Sequence, residues 1–380
     1  MEFLRRLFAI AVIAGVVVAG CSSTQTIELV VRDHDCRWNQ AGGDAGRTGF
    51  RRLAYDVAPE FAWKRELGSP LLTEPSSGSG YLFLPIPDGD IVILELESGE
   101  KAGILKSNGP VTVPVAVSDS MVLLNEFGKK LAAANWITGR RQWAVDLYGS
   151  DFAPLILDGR VFWHDGRQSI ICFDLKEGKR LWGKTVDYGI TAPPSACSLG
   201  VVFATDRGYL ECLSPLDGSP IWSLETDSRI KNAPAITGEN VAFCSVDGRV
   251  VLSSMHDGVP IWKVDLEMPI LAPVSIDGEG VYVGAQGGEI LRLNISDGRV
   301  AWSGQLDGPI KGGPSISSNI VIFPTLNHRI FFVDKNEGKV IFDYSTSGMI
   351  SSRPVVCSDR VFVAGEDENL YCFQMLRKNE

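Results

Sequence analysis

The chain is short of the residues that build metal and redox centres by local spacing. Its 380 residues include four histidines, His34, His164, His256 and His328, which are too scattered for ligand spacing. Eight cysteines are present, yet no Cys-x-x-Cys and no Cys-x-x-Cys-His occurs. That excludes a zinc ribbon and a c-type haem attachment. Positive charge is also scarce: 36 Lys and Arg stand against 46 Asp and Glu, a formal net charge of -10. Nucleic acid needs clustered cations on its phosphates, so it is excluded as a partner. No nucleophile–base constellation, metal cluster or cofactor clamp can be assembled from the sequence. No catalytic residue, metal or cofactor is therefore expected.

Long apolar runs are scarce too. Leu7 to Val18, behind Arg5 and Arg6, has the length of a signal-peptide core and is short for a bilayer span. It ends Val18-Ala19-Gly20-Cys21, which looks like a bacterial lipobox. Residues 1–20 then read as a lipoprotein signal, with Cys21 as the lipidated residue. Ser22, where an Asp would retain the protein inside, points to the outer membrane by analogy with enterobacterial sorting. Residues 21–37 are polar and unpatterned, as a tether should be, and 377–380 form a polar tail.

What the chain has in plenty is a clock. Trp143, Trp182, Trp222, Trp262 and Trp302 recur at steps of 39 or 40, and Phe342 keeps the beat. Each follows a Gly by four residues: Gly139, Gly178, Gly218, Gly258, Gly298 and Gly338. Prolines open the units in phase: Pro75, Pro114, Pro154, Pro194, Pro234, Pro273, Pro314 and Pro354. A period near 40 with short apolar runs means a propeller or solenoid, because one unit cannot bury its own faces.

Residues 272–306 show the content of a unit. Ala272–Ile276, Val281–Ala285, Glu289–Ile295 and the stretch from Val300 read as four short strands joined by Gly-rich turns. Four such strands make a β-meander, the blade of a propeller. Gly before the fourth strand supplies a positive φ. The acidic residues beside it (Glu177, Asp217, Asp257, Asp297, Glu337) read as turn chemistry, bonding back to the turn backbone.

Eight prolines count eight blades, while the last unit runs out of chain after its third strand. Trp63 stands 80 residues before Trp143, with Gly103 at the position between them where the aromatic is missing. The strand around Phe61–Lys64 is therefore expected to complete blade eight and leave no free sheet edge in the ring. The fold expected over 38–376 is an all-β, eight-bladed propeller of four-stranded antiparallel blades. Trp63, Trp143, Trp182, Trp222, Trp262, Trp302 and Phe342 are expected to pack between blades. Cys172, Cys212 and Cys372 share one register of the repeat, and Cys197 and Cys357 another. They read as small buried strand residues, with a disulfide involving Cys36 left open.

Cys172 to Trp182 and Ala134 to Trp143 resemble the Ala-x-Asp-x-x-Thr-Gly-x-x-x-Trp repeat of pyrroloquinoline-quinone (PQQ) dehydrogenases. The lead-in Trp38-Asn39-Gln40-Ala41-Gly42-Gly43-Asp44 to Arg47-Thr48-Gly49 is also similar to that of PQQ-like propellers. The resemblance implies the fold over residues 38–376. For the enzymes it implies adjacent cysteines over the quinone and a Glu/Asn/Asp calcium site, and no two cysteines adjoin here. A lipobox followed by an eight-bladed PQQ-like propeller resembles the propeller lipoproteins of the outer-membrane β-barrel assembly machinery. That likeness implies a non-catalytic, membrane-anchored scaffold in an envelope protein complex, docking on the barrel subunit. The other readings are an accessory propeller of a different envelope complex and a quinone- or small-ligand-binding propeller. Where family members carry a long acidic docking loop, this chain has the short Thr226–Lys231. A candidate docking face is expected around Phe152, Tyr188 and Met268, as exposed apolar residues on one loop face. Glu74 and Arg353, which replace small residues before their prolines, are expected as a charge pair at the channel mouth. Lys231 and Lys311 are expected to point at the same mouth.

Overall fold

The computed structural model describes residues 29, 36, 38–55, 58–147 and 150–376. Cys21 and the signal segment lie outside these residues, as does the tail 377–380. Among the described residues no helix is long and apolar enough to cross a membrane.

Among the described residues every strand belongs to one of eight four-stranded antiparallel sheets. Blade three shows the pattern, with Leu155–Leu157 innermost, then Arg160–His164, Ser169–Asp174 and Arg180–Thr185 outermost. The two middle strands are apolar on both faces because each blade is covered by a neighbour on either side, as Ile170, Ile171, Cys172 and Phe173 show. The outermost strand alternates between exposed and half-buried, since only one of its faces meets a blade. In blade eight the outer strand is Glu60–Glu66, paired with Asn369–Gln374, so that Trp63 stands opposite Cys372. The ring is zipped shut by its own N-terminal strand.

Six of the eight seams are built the same way. The Trp143 indole N–H donates to Leu175 O of the next blade at 2.9 Å, and Trp182, Trp222, Trp262 and Trp302 reach Pro215, Met255, Ile295 and Lys335 likewise. Trp63 reaches Glu97 O of blade one at 3.3 Å. The ring lies flat on the turn glycine of that next blade: a Cβ on Gly178 would sit 2.5 Å from the Trp143 ring. These glycines also have positive φ, 66° at Gly178 and 73° at Gly218. Two demands thus meet at one residue, a left-handed turn and a ring overhead. The carboxylates that bond back to the turn are Asp217, Asp257 and Asp297. In blades three and seven the bond is made earlier in the turn, by Asp174 and Asp334 rather than Glu177 and Glu337. The shorter Asp side chain is the one that reaches these amides.

Blade one lacks its seam aromatic, with Gly103 in the position that Trp143 holds in blade two. Blade two answers from the other side. Trp136 in its third-to-fourth-strand turn is fully buried and lies 5.7 and 5.4 Å from the Tyr81 and Phe83 rings of blade one. Its N–H donates to Asp119 O at 2.8 Å, and Leu29 joins the same apolar cluster. Trp136→Phe should cost about 1–2 kcal/mol, through the lost hydrogen bond and a small void. An unchanged urea midpoint would show that this seam does not depend on the indole.

Candidate functional site: the strapped channel and the loop face

The first strands of successive blades are neighbours around the axis, and hydroxyls tie several of them together. Ser76 Oγ donates to Val115 O, Ser195 Oγ to Pro234 O, Ser275 Oγ to Pro314 O and Ser315 Oγ to Pro354 O, at 2.5–2.6 Å. Inside this ring the inner strands present an unpaired edge, whose amides need acceptors.

The lead-in segment supplies those acceptors. Trp38 O takes the Ser77 N–H of blade one and Asn39 O the Val117 N–H of blade two, both at 2.7 Å. The Gln40 side chain pairs with Ile156 of blade three in both directions. Ala45, Gly46, Thr48 and Gly49 carbonyls then take the amides of Ala196, Ile236, Ile276 and Ile316, in blades four to seven. Residues 38–49 are therefore a strap that circles the axis one blade at a time. It leaves by the side of the first-to-second-strand turns, where Leu53 O accepts from Ser318 N and the Tyr55 hydroxyl donates to Ser358 O. The adjoining Cys36 forms a disulfide with Cys357, on the inner strand of blade eight.

Buried charges lock the strap. Glu74 accepts from Trp38 Nε1 at 3.2 Å and from Gly42 N at 2.8 Å. Arg47 spreads its guanidinium over Pro194, Ala41 and Ala153 carbonyls. Arg353 reaches from blade eight to Ser275 Oγ at 2.7 Å and Val274 O at 3.4 Å in blade six. It passes over Gly49 and Gly313, where any Cβ would collide with its guanidinium. Burial pushes the Arg47 guanidinium down to about 10, against the pull of Glu74, and raises the Glu74 carboxyl. Glu74 and Arg353 attract each other, as expected of a charge pair, but they are buried in the axis rather than set at an open mouth. Their hydrogen bonds go to other groups, Glu74 to Trp38 and Gly42 of the strap and Arg353 to blade six above Gly49 of the strap. Lys231 and Lys311 are exposed, on loops of the opposite face from the strap's exit.

That loop face carries the fourth-to-first-strand connections and the second-to-third-strand turns. Phe152, Tyr188 and Met268 are half-buried rather than exposed, because each leans on its own neighbours. Phe152 lies 5.1 Å from the His164 ring, and Tyr188 stacks on Tyr209 at 5.8 Å with Arg207 above it. Met268 packs against the seam of blades five and six. The exposed apolar side chains of a consecutive sector are Met349, Leu72 and Phe127, of blades eight, one and two, at 42%, 47% and 61% exposure. Phe127 also holds φ 56°, a left-handed conformation that bulky residues rarely adopt. Its ring covers Gly109, where a side chain would collide with it. The sequence signal for these three was the loop position alone.

A second charged site was missed on the turn face. Lys335 of blade seven is buried with its ammonium 2.8 Å from Asp277 and 3.1 Å from Glu279 of blade six. Asp277 also accepts from the Tyr282 hydroxyl at 3.3 Å, and Arg292 reaches Glu279. Forty-residue spacing places Lys335 in register with Leu175, Met255 and Ile295, so a charge in an apolar register was the available signal. At the rim, a cavity of about 480 Å³ opens between blades eight and one, lined by Arg65, Leu67, Val92, Leu94 and Lys101 among others.

A quinone held with calcium does not fit the groups on the axis. Glu74 is committed to Trp38 and Gly42, Arg47 to three carbonyls, and Arg353 to blade six. No adjacent cysteines exist to face a planar ring.

The family model described as outer membrane protein assembly factor BamB matches residues 54–187, 166–309 and 206–380. BamB of Bordetella pertussis is 26% identical over 184 residues, 41% of this chain and 47% of that protein. The match thus spans about half the length of that curated relative. Among solved structures, BamB from Moraxella catarrhalis superposes with a TM-score of 0.72 at 16% identity, over 84% of this chain and 100% of that one. The quinohemoprotein alcohol dehydrogenase of Comamonas testosteroni gives 0.76 at 13% identity, over 93% and 84%. At these identities the two structures share the fold alone with this chain. With matches that together run from residue 54 to residue 380, the chain belongs to the family of outer membrane protein assembly factor BamB.

Proposed function

We propose that this protein is a non-catalytic scaffold of outer-membrane protein assembly, anchored by lipid on Cys21 and facing the periplasm. The family match along residues 54–380 carries the reading. The commitment of Glu74, Arg47 and Arg353 to the strap and the inner strands supports a holding role over turnover, since these charged axial groups are held by hydrogen bonds within the protein. The loop face is the docking side in this reading. It is the side away from the strap's exit, and it offers Met349, Leu72 and Phe127 as neighbouring apolar contacts among polar loops.

The test is a crosslinked pull-down from outer membranes. Leu72→Ser, Phe127→Ser and Met349→Ser together should each change stability by about 0.5 kcal/mol or less, as exposed substitutions do. They should nevertheless abolish co-purification of the assembly partner. Full recovery by the folded triple variant would remove the loop face from the proposal. Cys21→Ser should release the protein from the membrane, and retention of that variant would remove the anchor. Dye-linked alcohol oxidation after addition of PQQ and calcium would overturn the scaffold reading itself.

A further inference from the structure

The strap meets seven blades through hydrogen bonds and the eighth through a covalent bond. The register of donating amides, Ser77, Val117, Ile156, Ala196, Ile236, Ile276 and Ile316, advances by 39 or 40 residues and would next reach Val356. Cys357 adjoins that position. Its partner Cys36 lies 321 residues away in sequence, with the Cα atoms 4.7 Å apart and both residues buried. Four thiols, Cys172, Cys197, Cys212 and Cys244, fall between the two in the chain, and Cys372 follows.

This order matters for how the bond can arise. A chain oxidised from its N-terminus offers Cys172 to Cys36 long before Cys357 exists beside it. Cys36 and Cys357 become neighbours only when the strap has crossed the inner strands and blade eight has formed. Folding then withdraws four of the five remaining thiols from exchange, because the attacking species is the thiolate. Burial pushes Cys172, Cys212, Cys244 and Cys372 up to about 12, so little thiolate is left.

We propose that the Cys36–Cys357 bond is the closing modification of this fold, made as the strap docks and before the two sulfurs are buried, by a dithiol–disulfide oxidoreductase that can also isomerise wrong pairs. Starting from two thiols, the oxidised partner takes up two electrons and two protons and leaves as a dithiol. Starting from a Cys36–Cys172 pair, the partner's thiolate attacks the Cys36 sulfur and Cys172 departs as a thiolate, then takes a proton. The Cys357 thiolate next attacks Cys36 in the mixed disulfide, the partner's sulfur leaves, and no net electrons are exchanged. The partner belongs to an oxidising compartment, in keeping with an exported protein. The bond makes the strap's entry a fixed end that cannot peel away one hydrogen bond at a time.

The experiment uses the chain purified from membranes, first mapped by non-reducing peptide mass spectrometry. It is then reduced, unfolded and refolded, with thiols trapped by alkylation over time. With oxidised glutathione alone, non-native pairs such as Cys36–Cys172 should persist. Adding reduced glutathione or purified protein disulfide isomerase should raise the native pair about fivefold or more. The native pair should appear together with the tryptophan fluorescence change and not ahead of it. Replacing Cys172, Cys197, Cys212 and Cys244 with Ala should remove the need for the isomerase. If that variant does not fold, the order of events in the unaltered chain still decides. Native pairing ahead of the fluorescence change in oxidised glutathione alone would overturn the proposal, as would finding Cys36 and Cys357 reduced in the membrane-derived protein.

Discussion

Replacing Lys335 with Met is expected to lower the unfolding free energy by about 3–5 kcal/mol, the cost of breaking a buried ion pair from one side. Met keeps most of the side-chain volume, so the loss reports charge rather than a cavity. Asp277 would retain the Tyr282 hydroxyl and the Glu279 and Gly280 amides, yet its carboxylate would sit buried without a cation. Glu279 is more than half exposed, and its removal should cost only about 0–1 kcal/mol. Combining Lys335→Met with Asp277→Asn should therefore recover most of the loss, because the stranded charge goes with its partner. Urea midpoints of the four proteins check this. A Lys335→Met loss below about 1 kcal/mol would mean that water reaches the pair and screens it.

The ring was legible in the sequence because its demands repeat. A left-handed turn beneath an aromatic ring recurs at six of the eight seams, so Gly and Trp recur along the chain, and Trp63 marked the closing strand from 80 residues away. The strap was not legible because it works mainly through its carbonyls, which every residue owns. Its side-chain signatures are few: Gly49 beneath the Arg353 guanidinium, the Gln40 amide, the Trp38 indole and the Arg47 guanidinium. Without the strap, Glu74 and Arg353 read as the two sides of an open mouth. With it, the same residues become internal clamps. Trp136 and Lys335 were missed for a related reason: each is one exception within the register of Leu175, Met255 and Ile295, and a clock draws attention to what repeats. Exposure on the loop face was misjudged because loop position does not tell whether a ring lies on a neighbour, as Tyr188 does on Tyr209.

The clamp at Glu74 gives a second large effect, with a pH dependence opposite to that of a surface salt bridge. Glu74→Ala removes the acceptor for the Trp38 indole and for the Gly42 amide, both buried. Two orphaned donors at about 1–3 kcal/mol each put the loss at about 2–6 kcal/mol. Burial raises the Glu74 carboxyl above its ordinary value near 4.5, against the attraction of Arg353 and Arg47. The unfolded chain thus gives up this proton at lower pH than the folded one. Between the two values the folded state binds more protons, so the contribution of Glu74 to stability falls as pH rises through that window. The alanine variant has no such group and no such slope. Its deficit relative to the unaltered protein should be largest below about pH 4.5 and shrink as pH climbs through the window. Glu74→Gln, which keeps one acceptor oxygen, should lose less at acid pH and close the gap sooner. Denaturant unfolding from pH 4 to pH 8 reads the difference directly. A deficit that grows with pH would show that Arg47 and Arg353 hold the carboxylate in its charged form, and that the strap is clamped by attraction rather than by its hydrogen bonds.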